Sequence, residues 1–454
     1  MTDKEAVENT IQSGLEQSLK DLERLCAQPS ISAQDVGMQE CAQLVKEMLE
    51  QRGFESKILP SAGFPVVYAQ RAGRSDRTLL FYNHYDVQPP EPLDAWESPP
   101  FKPTVRNGKM YARGVSDDKG HIVCRLAAID ALLAVDGELP CTVKFIIEGE
   151  EEIGSANLPA FVASHAELLA ADACIWEFGG VNHEGTPLQI AGLRGICYVE
   201  LSVQTASQDA HSGLGGSIFP NAAWRLAWAL NTLKTSDEHI RLPGFYDRVQ
   251  PPSDRDLELL DALPDPSEEY RGRYELDGFI KGIEGGLDLK REQIFSPTCT
   301  ICGLTSGYQG PGTKTVLPAR ASAKVDFRLV PDQDPDEVVL LLKNHLHDEG
   351  FTDVEVTYLS GEPPARTPVD DPFLQMVVEE ARPVYGVSQS VVPMSGGSGP
   401  NHAFIHTLNV PVATAGVSYP GARVHAPNEN LVIENFVNGV RHTARILARF
   451  GEIT

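Results

Sequence analysis

The stretch TLLFYNHYDVQPPEP, residues 78–92, opens as a run fit for a buried strand and ends in a histidine and an aspartate two residues apart. Short apolar runs of the same kind occur at 65–69 (PVVYA), 142–147 (TVKFII) and 173–176 (ACIW). Between the runs at 78–82 and 142–147, residues 119–135 read as a helix. Unbroken apolar strands alternating with helices predict an α/β sandwich around a mostly parallel sheet, because such strands are buried on both faces. In open sheets of this class ligands sit beyond the carboxyl ends of the strands. His84 and Asp86 therefore stand where a site is expected, although His-x-Asp alone equally describes two polar residues opening a proline-rich loop.

Working outward, Ile11, Leu15, Leu19, Leu22 and Leu25 recur at helical spacing before Pro29. A second helix carries Cys41, Leu44, Val45, Met48 and Leu49 and stops at Gly53. Near Gly195 the pattern changes. GICYVELSVQ alternates as a half-buried strand does, a helix follows over about 220–233, and ASAKVDFRLV (321–330), a helix at 335–346 and DVEVTYL (353–359) come later. Two strand–helix units of this kind predict a small α+β layer with a ferredoxin-like arrangement. Residues 249–272, acidic and rich in proline, read as a surface insertion. The simplest organisation is one α/β domain (1–192 and 363–454) interrupted by a smaller domain at 193–362. Trp224, Leu226, Trp228 and Leu230 share one helix of the inserted domain and read as core.

The chain of 454 residues carries a formal net charge of -25, which argues against nucleic acid or an anionic membrane as partner. No run approaches eighteen consecutive apolar residues, and the polar start MTDKEAVENT does not read as a signal peptide, so a cytoplasmic location is expected. The eight cysteines are scattered through apolar runs and read as reduced core thiols. Cys299 and Cys302 form a lone CxxC without the second pair a structural zinc site wants.

Five segments carry the chemistry: His84-Tyr-Asp86, Ser116-Asp117-Asp118-Lys119-Gly120, Glu148-Gly-Glu150-Glu151-Glu152, Trp176-Glu177 and Val424-His425-Ala-Pro-Asn-Glu429. Each has a bland reading. SDDKG is a turn with an aspartate cap, a glutamate run is a solvated face, and His425 is a loop histidine. Taken together they gather histidine and carboxylate donors at several strand ends, with like charges that a cation would hold most cheaply. Nitrogen and oxygen ligands suit zinc, with manganese or cobalt as substitutes. Two histidines and three carboxylates exceed one tetrahedral ion and match two ions sharing a bridging carboxylate.

His84-x-Asp86, RGVSDDKG (113–120), EGEEEIGS (148–155) and VHAPNE (424–429) resemble, in order and over essentially the whole chain, the signature set of one family. It is the dizinc metallopeptidases that include carnosinase, glutamate carboxypeptidase, acetylornithine deacetylase and succinyl-diaminopimelate desuccinylase. GPGTKTVLP, FRLVP and IIEGEEE are most like its peptidase branch. The resemblance implies two Zn2+ per subunit. His84 and His425 would each serve one ion, Asp117 would bridge, and Glu152 and Glu177 would complete the ligands; carboxypeptidase-like members carry glutamate at the last position and carnosinase-like members aspartate. It implies Glu151 as general base, Asp86 as the carboxylate that orients His84, and a cis peptide between Asp117 and Asp118. In the inserted domain, implied to be a lid through which the protein forms a homodimer, His211 resembles a histidine that polarises the scissile carbonyl in the neighbouring subunit. Arg328, Thr315 and Ser398 resemble substrate-binding residues, with Arg328 on the substrate carboxylate. The glycine-rich loop MSGGSGPNHAF lacks the Lys-Ser/Thr of a phosphate cradle.

The resulting expectation is a metal-dependent exopeptidase cutting dipeptides or short peptides with a free C-terminus. An N-acyl amino acid amidohydrolase and a catalytically silent metal-binding homologue are the alternatives.

Overall fold

Leu79, Leu80, Phe81 and Tyr82 are wholly buried and form the second half of the strand Gly73–His84. In the computed structural model, which describes residues 2–452, this strand lies inside a six-stranded sheet. The order is Glu55–Leu59, Val66–Arg71, Leu139–Glu148, Gly73–His84, Ala173–Trp176, Val412–Thr414. The first two pairings are antiparallel and the other three parallel. The sheet is thus mostly parallel, as the unbroken apolar runs require.

Parallel register decides where the polar strand ends go. His84 pairs with Glu148, Phe81 pairs with Phe145 and with Ile175, and Thr414 pairs with Trp176. The carboxyl ends of four strands therefore share one edge, and the turns after them start within a residue or two of it. Beneath, Phe145 stacks on Phe81 at 5.1 Å between ring centroids and meets Phe54 edge-on at 5.6 Å. The helix Lys119–Asp136 covers this sheet and is buried on nearly every side. It has no polar stripe because the helices Lys4–Ala27 and Ile433–Phe450 pack against it. Gly137, at φ 76, ends it in the left-handed conformation that glycine adopts freely.

The chain divides into two compact units: one of 1–192, 366–393 and 399–454, the other of 193–365 with 394–398. In the second unit an antiparallel sheet runs in the order Thr298–Ser306, Arg320–Leu329, Gly195–Gln204, Glu355–Glu362. The helices Ala222–Leu233 and Pro335–Asp348 pack on one face of it. Strand, helix, strand, strand, helix, strand in this spatial order is the ferredoxin-like arrangement. Cys197, Val199, Leu201 and Val203 point into the core at every second residue, as the alternation in GICYVELSVQ demands.

One expectation is corrected here. Trp224 and Trp228 are not core: they are 60 % and 55 % exposed and stack on each other at 5.9 Å. Ala222, Leu226, Ala229 and Leu233 bury the opposite side of that helix, and residues one turn apart at 224 and 228 must then face outward. The 249–272 insertion is largely helical, with Asp254–Ala262 started by a Ser253–Asp256 capping box and Ser267–Tyr274 following. Seven cysteines are buried and Cys302 is exposed, all with free thiols. Among the described residues no helix is long and apolar enough to cross a membrane.

Replacing Phe145 with alanine should remove the stacking partner of Phe81 and leave a cavity, destabilising the first unit by about 3–5 kcal/mol. A fall in the urea midpoint with little change in slope would show it, and an unchanged midpoint would refute the packing argument.

Candidate metal centre

His84 ends its strand fully buried. Its Nδ1 lies 3.1 Å from the Asp86 carbonyl oxygen and 3.3 Å from Asp86 Oδ1. That leaves Nε2 for the site, 3.1 Å from Asp117 Oδ1 and 4.0 Å from Glu177 Oε2. Asp86 also accepts hydrogen bonds from the backbone N–H groups of Glu151 (3.3 Å) and Glu152 (3.0 Å). One buried carboxylate thus ties the histidine ring to the turn that follows the neighbouring strand.

Asp117 faces two ways. Oδ1 approaches His84 and Oδ2 lies 3.0 Å from His425 Nε2, which is itself 3.1 Å from Glu152 Oε2. Two groups of donors result, His84 with Glu177 and His425 with Glu152, and Asp117 belongs to both. The Asp117–Asp118 peptide is cis. His425 sits at φ 61, in the left-handed region sparsely populated by residues with a Cβ.

The bland readings of these segments do not hold locally. Asp118 occupies the cap position of its helix but makes no side-chain capping bond. Instead it accepts from Asn83 Nδ2 (2.6 Å) and the His84 N–H (3.1 Å), and lies 3.0 Å from His121 Nδ1. The glutamate run is not a solvated face. Glu148 and Glu150 are buried, Glu148 under hydrogen bonds from Tyr82 and Ser155, Glu150 under the Asn157 amide.

Charge crowding sets the protonation of the site. Burial, reinforced by Asp117, Glu152 and Asp86, pushes Glu151 up to about 8 although His84 pulls the other way. Burial and then Glu151 hold Glu177 well above the usual carboxylate range. Burial would raise Asp117 too, but hydrogen bonds to His425 and His84 hold it far below. His425, bonded to Asp117 and Glu152, rises to about 10. A divalent cation fits this donor set. Ligand atoms of His84, Asp117 and Glu152 lie within 4.8 Å of one another, all are nitrogen or oxygen, and Glu177 Oε2 is buried without a hydrogen-bond partner.

Several supporting residues were not assigned a part from sequence. Glu429 is buried and accepts from Arg113 Nη1 (2.8 Å) and from the N–H groups of Gly114 (2.8 Å), Ser116 (2.9 Å) and Asp117 (3.1 Å). It pins the loop bearing Asp117 to the loop bearing His425. Its signal was its place at the end of VHAPNE. Gln88 donates to the Glu152 carbonyl (3.0 Å) and carboxylate (2.9 Å). Arg125, buried in the long helix, donates to the carbonyls of Trp176, Glu177 and Ala415, and nothing in its apolar sequence context marked it.

The remaining candidates lie in the second unit. His211 Nδ1 accepts from the Gly213 N–H at 3.1 Å, and Nε2 is 3.3 Å from Thr315 Oγ1. Arg328 Nη1 donates to Ser398 Oγ at 2.9 Å, while its Nε stands 3.4 Å from Asp326.

Comparison with known proteins gives these arrangements a context. The model of peptidase family M20/M25/M40 matches residues 80–449. The chain is 28 % identical to human Beta-Ala-His dipeptidase, over 86 % of this chain and 78 % of that one. It is also 28 % identical to a Cys-Gly metallodipeptidase of Saccharomyces cerevisiae, over 90 % of each. Among solved structures, an M20 family metallo-carboxypeptidase of Sulfolobus solfataricus superposes with a TM-score of 0.89 and 35 % identity, covering 96 % of this chain and 99 % of that one. Human carnosine dipeptidase 1 superposes with a TM-score of 0.78 and 26 % identity, over 99 % and 100 %.

Glu429→Ala would strand the buried Arg113 charge and three amides, so a loss of about 3–5 kcal/mol is expected. Chemical denaturation measures it, and a loss under about 1 kcal/mol, the net worth of one ordinary hydrogen bond, would show that the clamp is unimportant.

Proposed function

This chain belongs to peptidase family M20/M25/M40 and is a metal-dependent hydrolase of peptide bonds; we propose that it acts as an exopeptidase on dipeptides or short peptides bearing a free C-terminal carboxylate. The observation that carries the reading is Asp117, with one oxygen about 3 Å from each of two histidines that approach from different loops. In this reading His84, Glu177 and Asp117 would hold one ion and His425, Glu152 and Asp117 the other, two zinc ions per chain with manganese or cobalt able to substitute. When bound, such ions supply Lewis acidity and make water easier to deprotonate.

The chain's own groups do the rest. Glu151, a buried carboxylate beside the proposed ligands, would take a proton from the attacking water and return it to the leaving amine. Asp86 keeps Nδ1 of His84 occupied and fixes the turn that carries Glu151. His211 takes a proton on Nε2, because its Nδ1 accepts from Gly213; it can then donate to a substrate carbonyl oxygen, with Thr315 steadying the ring. Arg328, with Ser398 beside it, offers a planar fork to the substrate carboxylate. His211 would act on the neighbouring subunit of a homodimer, and the exposed Trp224–Trp228 stack with exposed Ile301 and Leu304 supplies apolar surface for such pairing. An N-acyl amino acid would present the same carboxylate to Arg328, so assays with dipeptides, tripeptides and N-acetyl amino acids are the test that separates the two substrate classes.

Glu151→Gln should lower kcat by about 10²–10⁴-fold or more while the bound metal, measured by elemental analysis, stays near the wild-type ratio. Wild-type turnover in that variant would remove Glu151 from its role. His211→Ala should cost about 10²–10³-fold in kcat; near-full activity, or a wild type that sediments as a monomer at assay concentration, would exclude a histidine supplied by a partner.

A further inference from the structure

A cavity of ≈ 630 Å³ in the second unit belongs to no part of the chemistry described above. It is built by the insertion that follows the helix Ala222–Leu233, from Tyr274, Leu276, Phe279, Ile280 and Leu289, and is closed on one side by Arg194 and Thr298. Tyr274 and Ile280 are each 60 % exposed, so the apolar lining is left in solvent.

Its position relative to Arg328 follows from the sheet. Thr298 and Arg328 are directly paired across adjacent antiparallel strands. The next pair, Cys299 and Phe327, is buried under the helices, so Thr298 and Arg328 share the other face. Side chains paired this way start about 5 Å apart. Arg194 links the two places as well. Its backbone N–H donates to the carbonyls of Ser395 and Gly397 in the loop that carries Ser398, and its Nη2 donates to the Arg328 carbonyl at 3.3 Å. The cavity thus begins one strand away from the Arg328–Ser398 pair.

The charged groups of the rim are few, Arg194 and Glu292, and Arg194 keeps a buried Nε without a hydrogen-bond partner. Glu292 is paired with Lys281, Gln293 with the Tyr270 hydroxyl, and the Arg194 guanidinium with the carbonyls of Gln293 and Ser296. Tyrosine, phenylalanine, leucine and isoleucine side chains make most of the wall, and the volume is in the range of small-ligand pockets.

We propose that this cavity receives the side chain of the substrate's C-terminal residue and makes the protein selective for substrates ending in an aromatic or bulky aliphatic residue. The proposal rests on the reading of Arg328 and Ser398 as the carboxylate grip: the side chain of a C-terminal residue starts two bonds from its carboxyl carbon, and Thr298, paired with Arg328, lines the cavity.

The experiment compares kcat/KM of the metal-loaded enzyme for dipeptides sharing one N-terminal residue and ending in phenylalanine, leucine or glycine. Wild type should prefer the phenylalanine- and leucine-ended peptides over the glycine-ended one by about 10–200-fold. Tyr274→Ala and Ile280→Ala, both at exposed positions, should each lower the phenylalanine-to-glycine ratio several-fold, and Tyr274→Phe should restore it. A ratio that stays at the wild-type value in both alanine variants overturns the pocket and leaves the peptidase reading standing. So does a change that tracks the N-terminal residue in a second series with the C-terminus held constant. Failure of wild type to cleave any member would remove the peptidase reading, and this occupant with it.

Discussion

Asp117 can face two histidines only because two unrelated pieces of backbone are held together behind it. His84 arrives on a strand whose register is set by the core, and His425 arrives on a loop more than three hundred residues later. Glu429, four residues after His425, ties that loop to the one bearing Asp117: one buried carboxylate takes four donors, three of them loop amides at and before Asp117 and the fourth a buried arginine. A carboxylate so enclosed is costly to bury and more costly to leave unpaired, which makes the arrangement all or nothing. The metal-site geometry depends on that constraint.

Around it, the sheet does the positioning. Three parallel pairings place the ends of neighbouring strands level, so a histidine, a glutamate turn and a further glutamate are delivered to one edge without long loops. The cost of gathering so many carboxylates shows in their proton affinities. Glu151 and Glu177 rise through burial and mutual repulsion, and only Asp117, bonded to both histidines, is held low. A site that is strained toward protonation in this way is one that a divalent cation relieves.

The legibility of the protein in its sequence was uneven for physical reasons. Strands buried on both faces advertise themselves as unbroken apolar runs, and 78–82 could hardly be anything else. The alternation in 195–204 announced a sheet with one covered face. Trp224 and Trp228 face outward against the sequence pattern because large aromatic rings normally follow the apolar face of a helix, whereas here the small alanines and Leu226 do. The helices at 254–262 and 267–274 were hidden by their acidity and prolines, although Ser253 and Asp256 spell a capping box. Arg125 gave no sign at all, since its value lies in three carbonyls contributed by distant strands.

What the sequence determined by itself was the kind of chemistry and the class of fold. Both are written in local pattern: residue types that bind hard or borderline cations, spaced at the ends of strands whose periodicity depends only on burial. What only the tertiary structure decided was which oxygen meets which nitrogen. Asp118 could as well have capped a helix, and Asp117 could have faced solvent. The choice between them is made by His121, one turn along the helix from Asp118, and by Asn83 and Glu429, whose partners lie thirty-five and more than three hundred residues away, a separation that no local pattern records.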